Sequence, residues 1–113
     1  MNGAVTNGIG AMRARVTVQR ENPVAAGGGG YLPGWSDVAN LWAQLEPISG
    51  REILQGARLE ARATHRAIIR YRADVTAGMR LVYGTRLFRI HAALNMGERN
   101  RFTQLLIEEG GAV

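Results

Sequence analysis

A chain of 113 residues, 46% hydrophobic and 20% charged, is one domain around one modest core; wholesale disorder and a pair of independent cores are both excluded. All 14 basic residues are arginine, and against 9 acids they leave a net charge of +5, a statement about polyanionic or acidic partners and not about fold. The absence of cysteine excludes disulfides and thiolate metal sites, and no apolar run approaches the roughly 18–20 residues that a membrane span needs.

Residues 1–11 are small, polar and glycine-containing, so a flexible N-terminal tail is expected. They lack a basic start followed by an apolar segment, hence no signal peptide is read and a soluble, unexported protein is expected. From Arg13 to Arg20 the residues Ala14, Val16 and Val18 alternate with Arg15, Thr17 and Gln19, a first strand. Residues 21–34 then lose all periodicity, with Pro23, four glycines at 27–30 and Pro33-Gly34, which reads as a flexible loop, either inert or an assembly contact. A phosphate-cradling role is excluded, since no Lys-Ser/Thr follows and the run does not lead from a strand into a helix.

Trp35 and Trp42 flank the beginning of a second strand, where they are core residues or, for Trp42, part of a subunit interface. Between Leu41 and Glu46 the apolar residues Leu41, Ala43 and Leu45 face one way and Trp42, Gln44 and Glu46 the other. Pro47 ends that run. Ser49-Gly50-Arg51-Glu52 is a capping-box pattern, and Ile53, Leu54, Ala57 and Ala61 form a narrow stripe at helical spacing, so a short helix is predicted over about 50–61. Alternation returns from Thr64 to Arg72, with His65, Ala67, Ile69 and Tyr71 on one face and Arg66, Ile68, Arg70 and Arg72 on the other. Strands follow at 79–83 and 86–94, joined by Gly84-Thr85 in the order that favours a type II′ hairpin, with Phe88, Ile90 and Ala92 expected on one face. A connection over 95–100 leads to a last strand, 101–108, apolar on both faces: one is expected in the core, the other under helix 50–61 or a neighbouring subunit.

Catalytic chemistry finds no foothold in this sequence. His65 and His91 lie on separate strands outside any metal-ligand spacing; Ser36 and Ser49 are the only serines and neither sits in GxSxG. No metal, cofactor or catalytic residue is assigned, and the chain does not read as an enzyme. The six strands, with many non-local pairings, predict a mainly β protein: a small antiparallel β-barrel of about six strands with one short inserted helix, in a single domain over 1–113. The arginines are either solubilising or line a surface near nucleic acid, and a nucleic-acid-binding small barrel is the alternative class.

The run Trp42-Ala43, Glu46-Pro47, Ser49-Gly50-Arg51-Glu52, Thr64-His65-Arg66 and Ile69-Arg70-Tyr71-Arg72, with Arg15-Val16-Thr17-Val18-Gln19-Arg20 before it and Gly78-Met79-Arg80 and Ile90 after it, resembles the small phage head–tail joining proteins, also called head-closure or stopper proteins. The resemblance covers most of residues 12–108. It implies a structural virion protein, assembled in the bacterial cytoplasm, that forms a homo-oligomeric ring of six or twelve copies at the head–tail junction of a phage or gene transfer particle. It further implies a portal or adaptor protein on the head side, a tail terminator or tail tube protein on the tail side, and double-stranded DNA passing without sequence-specific contact. By resemblance, Ser49, Arg51, Glu52, Arg58 and Arg62 are candidates for contact with the adaptor or channel. Trp42, Glu60, Arg66 and Arg70 are candidates for the interface between subunits, where a head-to-tail ring joins unlike patches.

Overall fold

The computed structural model describes residues 12–48 and 62–110. The expected N-terminal tail and the helix expected over about 50–61 lie outside the described residues.

Among the described residues eight strands occur in chain order: β1 (Ala14–Glu21), β2 (Val24–Ala25), β3 (Tyr31–Leu32), β4 (Trp35–Pro47), β5 (His65–Arg70), β6 (Arg80–Tyr83), β7 (Arg86–Asn95) and β8 (Phe102–Glu109). Six of them close into an antiparallel barrel in the order β1-β4-β5-β8-β7-β6, and β6 returns to pair with β1 through Thr17–Val82, Val18–Leu81 and Gln19–Arg80. The mainly β, six-stranded barrel expected from alternation is the observed fold. Two-residue periodicity turns Val16, Val18, Ala43, Ala67, Ile69, Leu81, Phe88, Ile90, Leu105 and Ile107 inward, all at most 1% exposed. Ala43 and Ala67 leave room for the Phe88 ring in so narrow a barrel. The β6–β7 hairpin pairs Tyr83 with Arg86 across Gly84-Thr85, and Gly84 has φ +63°, as the first central residue of the expected turn requires.

Two bulges depart from strict alternation. Between Val18 and Gln19 the partner strand β4 advances from Ala39 to Asp37, leaving Val38 extra. Between Ile90 and Ala92, β7 gains His91, so Ala92 opposes Leu106 and Ala93 opposes Leu105. The second bulge overturns the expectation that Ala92 shares a face with Phe88 and Ile90, because an inserted residue exchanges the two faces beyond it. Ala93 packs against the core instead.

Residues 21–34 are more ordered than their composition implies. β2 and β3 pair as a two-stranded ribbon, Val24 opposite Leu32 and Ala25 opposite Tyr31, rooted by the Asn22 N–H donating to the Gly34 carbonyl at 2.7 Å. Gly34 is required there, since a Cβ would stand 2.5 Å from the Asn22 carbonyl oxygen. Part of the outer face of β5 and β8 is covered as well: Ile68 and Leu106, turned outward by register, are only 5% and 3% exposed.

The face reversal at His91 is testable by urea denaturation. Ala93→Asp should cost at least about 1 kcal/mol more than Ala92→Asp, because only the former drives a carboxylate toward the sealed core. Equal costs, or the reverse order, would reject the reversal.

Candidate assembly surfaces

Three surfaces of the barrel gather polar or aromatic side chains, or exposed apolar ones, outside the core. The first is the end where β4 stops and β5 starts. Here the Ile48 N–H donates to the Thr64 carbonyl at 3.0 Å and the Thr64 N–H to the Ile107 carbonyl at 2.8 Å, so the two ends of the connection between 48 and 64 meet at one point of the barrel. Beside it opens a cleft of about 520 Å³ lined in part by Arg13, Leu45, Pro47, His65, Tyr83 and Arg86.

The floor of this mouth is a small ordered cluster. Arg86 grips Glu109 with two bonds, Nε to Oε2 at 2.8 Å and an Nη2 bond to Oε1 at 3.0 Å, and its guanidinium lies 5.0 Å from the Phe88 ring centre. The Arg86 hydrogen bonds hold the Glu109 carboxyl below the usual carboxylate range and push the guanidinium's own pKa up. His65 meets Phe88 edge to face at 5.3 Å. The Thr64 hydroxyl accepts from the Glu109 N–H at 2.7 Å and lies 2.9 Å from His65 Nδ1. On its other side the ring turns Nε2 toward Arg86 Nη2 at 3.5 Å and Glu109 at 4.0 Å. Burial, aided by the Arg86 charge and opposed by Glu109, lowers the His65 pKa below 6.5, so the ring is neutral at pH 7.

The second surface is the outer face of β1, β4, β5 and β8. Arg15 pairs in register with Trp42 and Arg70 with Phe102, while Trp42 and Arg70 stand one step beyond the paired Ala43 and Ile69. Four strands thereby contribute one row, Arg15–Trp42–Arg70–Phe102, alternately cationic and aromatic and without an acid. The Arg15 guanidinium lies 5.1 Å from the Trp42 ring and that of Arg101 lies 5.8 Å from Phe102. Trp42 is 52% exposed; Leu94, 48% exposed, lies on β7, three strands away round the barrel. Trp42 is therefore not a core residue. Trp35 is half-buried outside the core, with Arg80 4.2 Å above its ring.

The third surface is the β2–β3 ribbon, whose Val24, Tyr31 and Leu32 are 57%, 75% and 57% exposed. Composition hid this patch, because the glycines that make the tip also erase periodicity; its one sequence signal is the pair of apolar steps on either side of them.

Of the residues singled out from sequence, Trp42 and Arg70 come together on the outer row. Arg66 Nη1 donates to its register partner Glu46 at 3.0 Å, two rows away on the same face, beyond Gln44 and Ile68. Arg62 is exposed at the returning end of the 48–64 connection. Ser49, Arg51, Glu52, Arg58 and Glu60 lie outside the described residues. Arg15 and Phe102 went unselected, since only the strand order sets them beside Trp42 and Arg70. Among the described residues no group of three or more His, Asp or Glu is gathered as a metal site needs.

Comparison with known proteins places these surfaces in context. The sequence matches the profile of phage head completion proteins over residues 8–110. A Shigella flexneri 2a protein of known solution structure is 28% identical, with a TM-score of 0.76 and all of both chains covered. A chain from the virion of a native gene transfer agent particle is 21% identical, with a TM-score of 0.61 over 88% of this chain and 96% of that one, a likeness of fold. No curated protein matches the chain.

The mouth cluster predicts a pH response. Because the folded pKa of His65 lies below its unfolded value, the unfolded chain takes the proton first as pH falls. The resulting stabilisation is whole above pH 6.5 and is lost as the pH falls from there through the folded value. Glu109 acts lower, its share being present above 4.5 and lost as pH falls through its own depressed value. His65→Gln should therefore flatten the decline in Tm as the pH falls through and below 6.5, leaving the decline below 4.5 that Glu109 contributes in place. An unchanged slope across that window would show that His65 is not its source.

Proposed function

The chain belongs to the phage head completion protein family, and from that premise we propose that it forms a ring at the head–tail junction, closes the DNA channel of the filled capsid and joins head to tail. It is a structural head protein of a phage-type virion; the observation that carries the finer reading is the family match across nearly the whole chain. The likeness of fold to a chain of a gene transfer agent virion agrees with it.

In this reading the portal or adaptor lies on one side of the ring and the tail terminator or tail tube on the other. The excursion between 48 and 64 grips the adaptor or reaches the channel through Ser49, Arg51, Glu52, Arg58 and Arg62. Neighbouring copies, six or twelve to the ring, meet through Trp42, Glu60, Arg66 and Arg70. Arginine suits both tasks: its planar fork pairs carboxylates across a protein seam, and at a DNA channel it meets phosphates without reading bases. A supporting feature is that the 48–64 excursion and the β2–β3 ribbon leave opposite ends of β4, as a protein that touches two bodies requires.

The test is electron microscopy of particles from cells carrying the gene and from cells in which it is deleted. Deletion should leave DNA-filled or leaking heads and separate, unattached tails, and the wild-type gene supplied in trans should restore whole particles. Intact particles after deletion would overturn the junction role.

A further inference from the structure

Where the outer face of this barrel is bare, large apolar side chains stand about half exposed: Trp42 on β4 at 52% and Leu94 on β7 at 48%. Ile68 on β5 and Leu106 on β8 also point outward by register, yet they are 5% and 3% exposed. The contrast runs along a single row, since register sets Gln44, Ile68, Gln104 and Leu94 side by side across four strands. Gln44 stands at the covered end of that row: its Oε1 is shut off from solvent with no hydrogen-bond partner among the described residues. A side-chain carbonyl on the outer face of a sheet loses its water only under a cover. Flanking side chains surround Trp42 and Leu94 too, and leave them half exposed. The cover therefore spans Gln44, Ile68 and Leu106 and stops short of Leu94.

We propose that residues 49–61 of the same chain lie across this patch, with Ile53, Leu54, Ala57 and Ala61 against Ile68 and Leu106. Both ends of the connection are pinned at the patch's edge, where Ile48 is bonded to Thr64 and Thr64 to Ile107, the residue after Leu106. On the returning side Ala63 is 1% exposed, while Arg62 beside it has a helical backbone and an exposed side chain. Length fits as well: twelve helical residues span roughly 18 Å, enough to cross three strands spaced roughly 5 Å apart. The other two segments outside the described residues fit less well. Residues 111–113 are too few and follow Gly110, which is tied to the Leu87 carbonyl on β7; residues 1–11 carry only isolated apolar side chains among glycines and asparagines. At helical spacing Arg51, Arg58 and Arg62 share a face beside the apolar stripe, so seating the stripe turns the arginines outward. In the junction reading above, those arginines are then what the excursion offers to the adaptor or channel, and Ile53 and Leu54 are withheld; that consequence rests on the reading, whereas the contact itself does not.

The chain has no cysteine, so single introduced thiols report the contact on the purified protein. Leu106→Cys should react with a maleimide at least about tenfold more slowly than Leu94→Cys. Adding Ile53→Ser and Leu54→Ser should speed labelling at Leu106→Cys at least about tenfold and leave Leu94→Cys unchanged. Val18→Cys, at a fully buried core position, should stay unreactive in both backgrounds, which separates loss of the cover from loss of the barrel. Where the double serine opens the barrel, Leu54→Ala takes its place with the same two readings. Fast labelling of Leu106→Cys in the otherwise unaltered chain would overturn the proposal, as would slow labelling that persists in the serine background. Protection released by deleting residues 1–11 instead, or lost on dilution as a cover from a second copy would be, would also overturn it. Any of these failures leaves the junction reading intact, since that is tested on particles and this on the isolated chain.

Discussion

Closure of the sheet along the β1–β6 seam is the constraint on which the rest of this small protein depends. β6 is four residues long, and only three register pairs join it to β1. Opened there, the sheet would present two edges whose free N–H and C=O groups invite pairing with other chains, and it would uncover Val18 and Leu81, both fully buried. Outside the barrel the seam is reinforced by Arg80, whose Nε donates to Gln19 Oε1 at 2.7 Å while its guanidinium covers Trp35. Gln19 in turn donates to Asp37 at 2.8 Å, tying β6, β1 and β4 together beside the Val38 bulge.

A closed barrel has no edge left to lend, so a protein of this design must make its contacts with outward side chains and with the segments that leave its ends. β4 organises both. It is 13 residues long, roughly 40 Å when extended, and it carries the ribbon at its beginning, Trp42 on its outer face and the 48–64 excursion at its end. The inward alternation of the same strand, through Leu41, Ala43 and Leu45, anchors it in the core. Trp42, on the outer face of that strand, is therefore positioned by the barrel core itself.

Much of this was legible in the sequence, for a physical reason: in a barrel with one sealed side, alternation is nearly the whole code. Six strands, the Gly84-Thr85 hairpin and the outward placement of Trp42 and Arg70 all follow from a period of two. The His91 bulge did not follow, because nothing in Arg-Ile-His-Ala-Ala-Leu-Asn marks one residue as extra; the register with β8 decides it, by setting Ile107 and Leu106 against Ile90 and Ala92. The aromatic row was half legible. Local alternation places Trp42 and Arg70 outward, but the neighbours that complete the row arrive through the pairings of β1 with β4 and of β5 with β8, both between positions more than 25 residues apart. The ribbon was hidden by a true inference applied too widely: glycines 27–30 do make a poor scaffold, yet only the tip is glycine, and the residues on either side pair.

The exclusive use of arginine also acquires a reason that composition could not supply. Arg15, Arg80, Arg86 and Arg101 lie over the rings of Trp42, Trp35, Phe88 and Phe102, and Arg66, Arg72 and Arg86 bind Glu46, Asp74 and Glu109. Stacking on an aromatic face and two-point capture of a carboxylate are both tasks for a planar, weakly hydrated cation, and a lysine ammonium does them poorly. Much of the basic character that suggested nucleic acid is thus engaged within the chain, holding aromatic side chains at the surface where water would otherwise favour their retreat. A platform for single-stranded bases needs ring faces open to stack on, whereas Trp42 and Phe102 already hold guanidinium groups against theirs. What such a surface offers outward is an aromatic centre within a cationic frame.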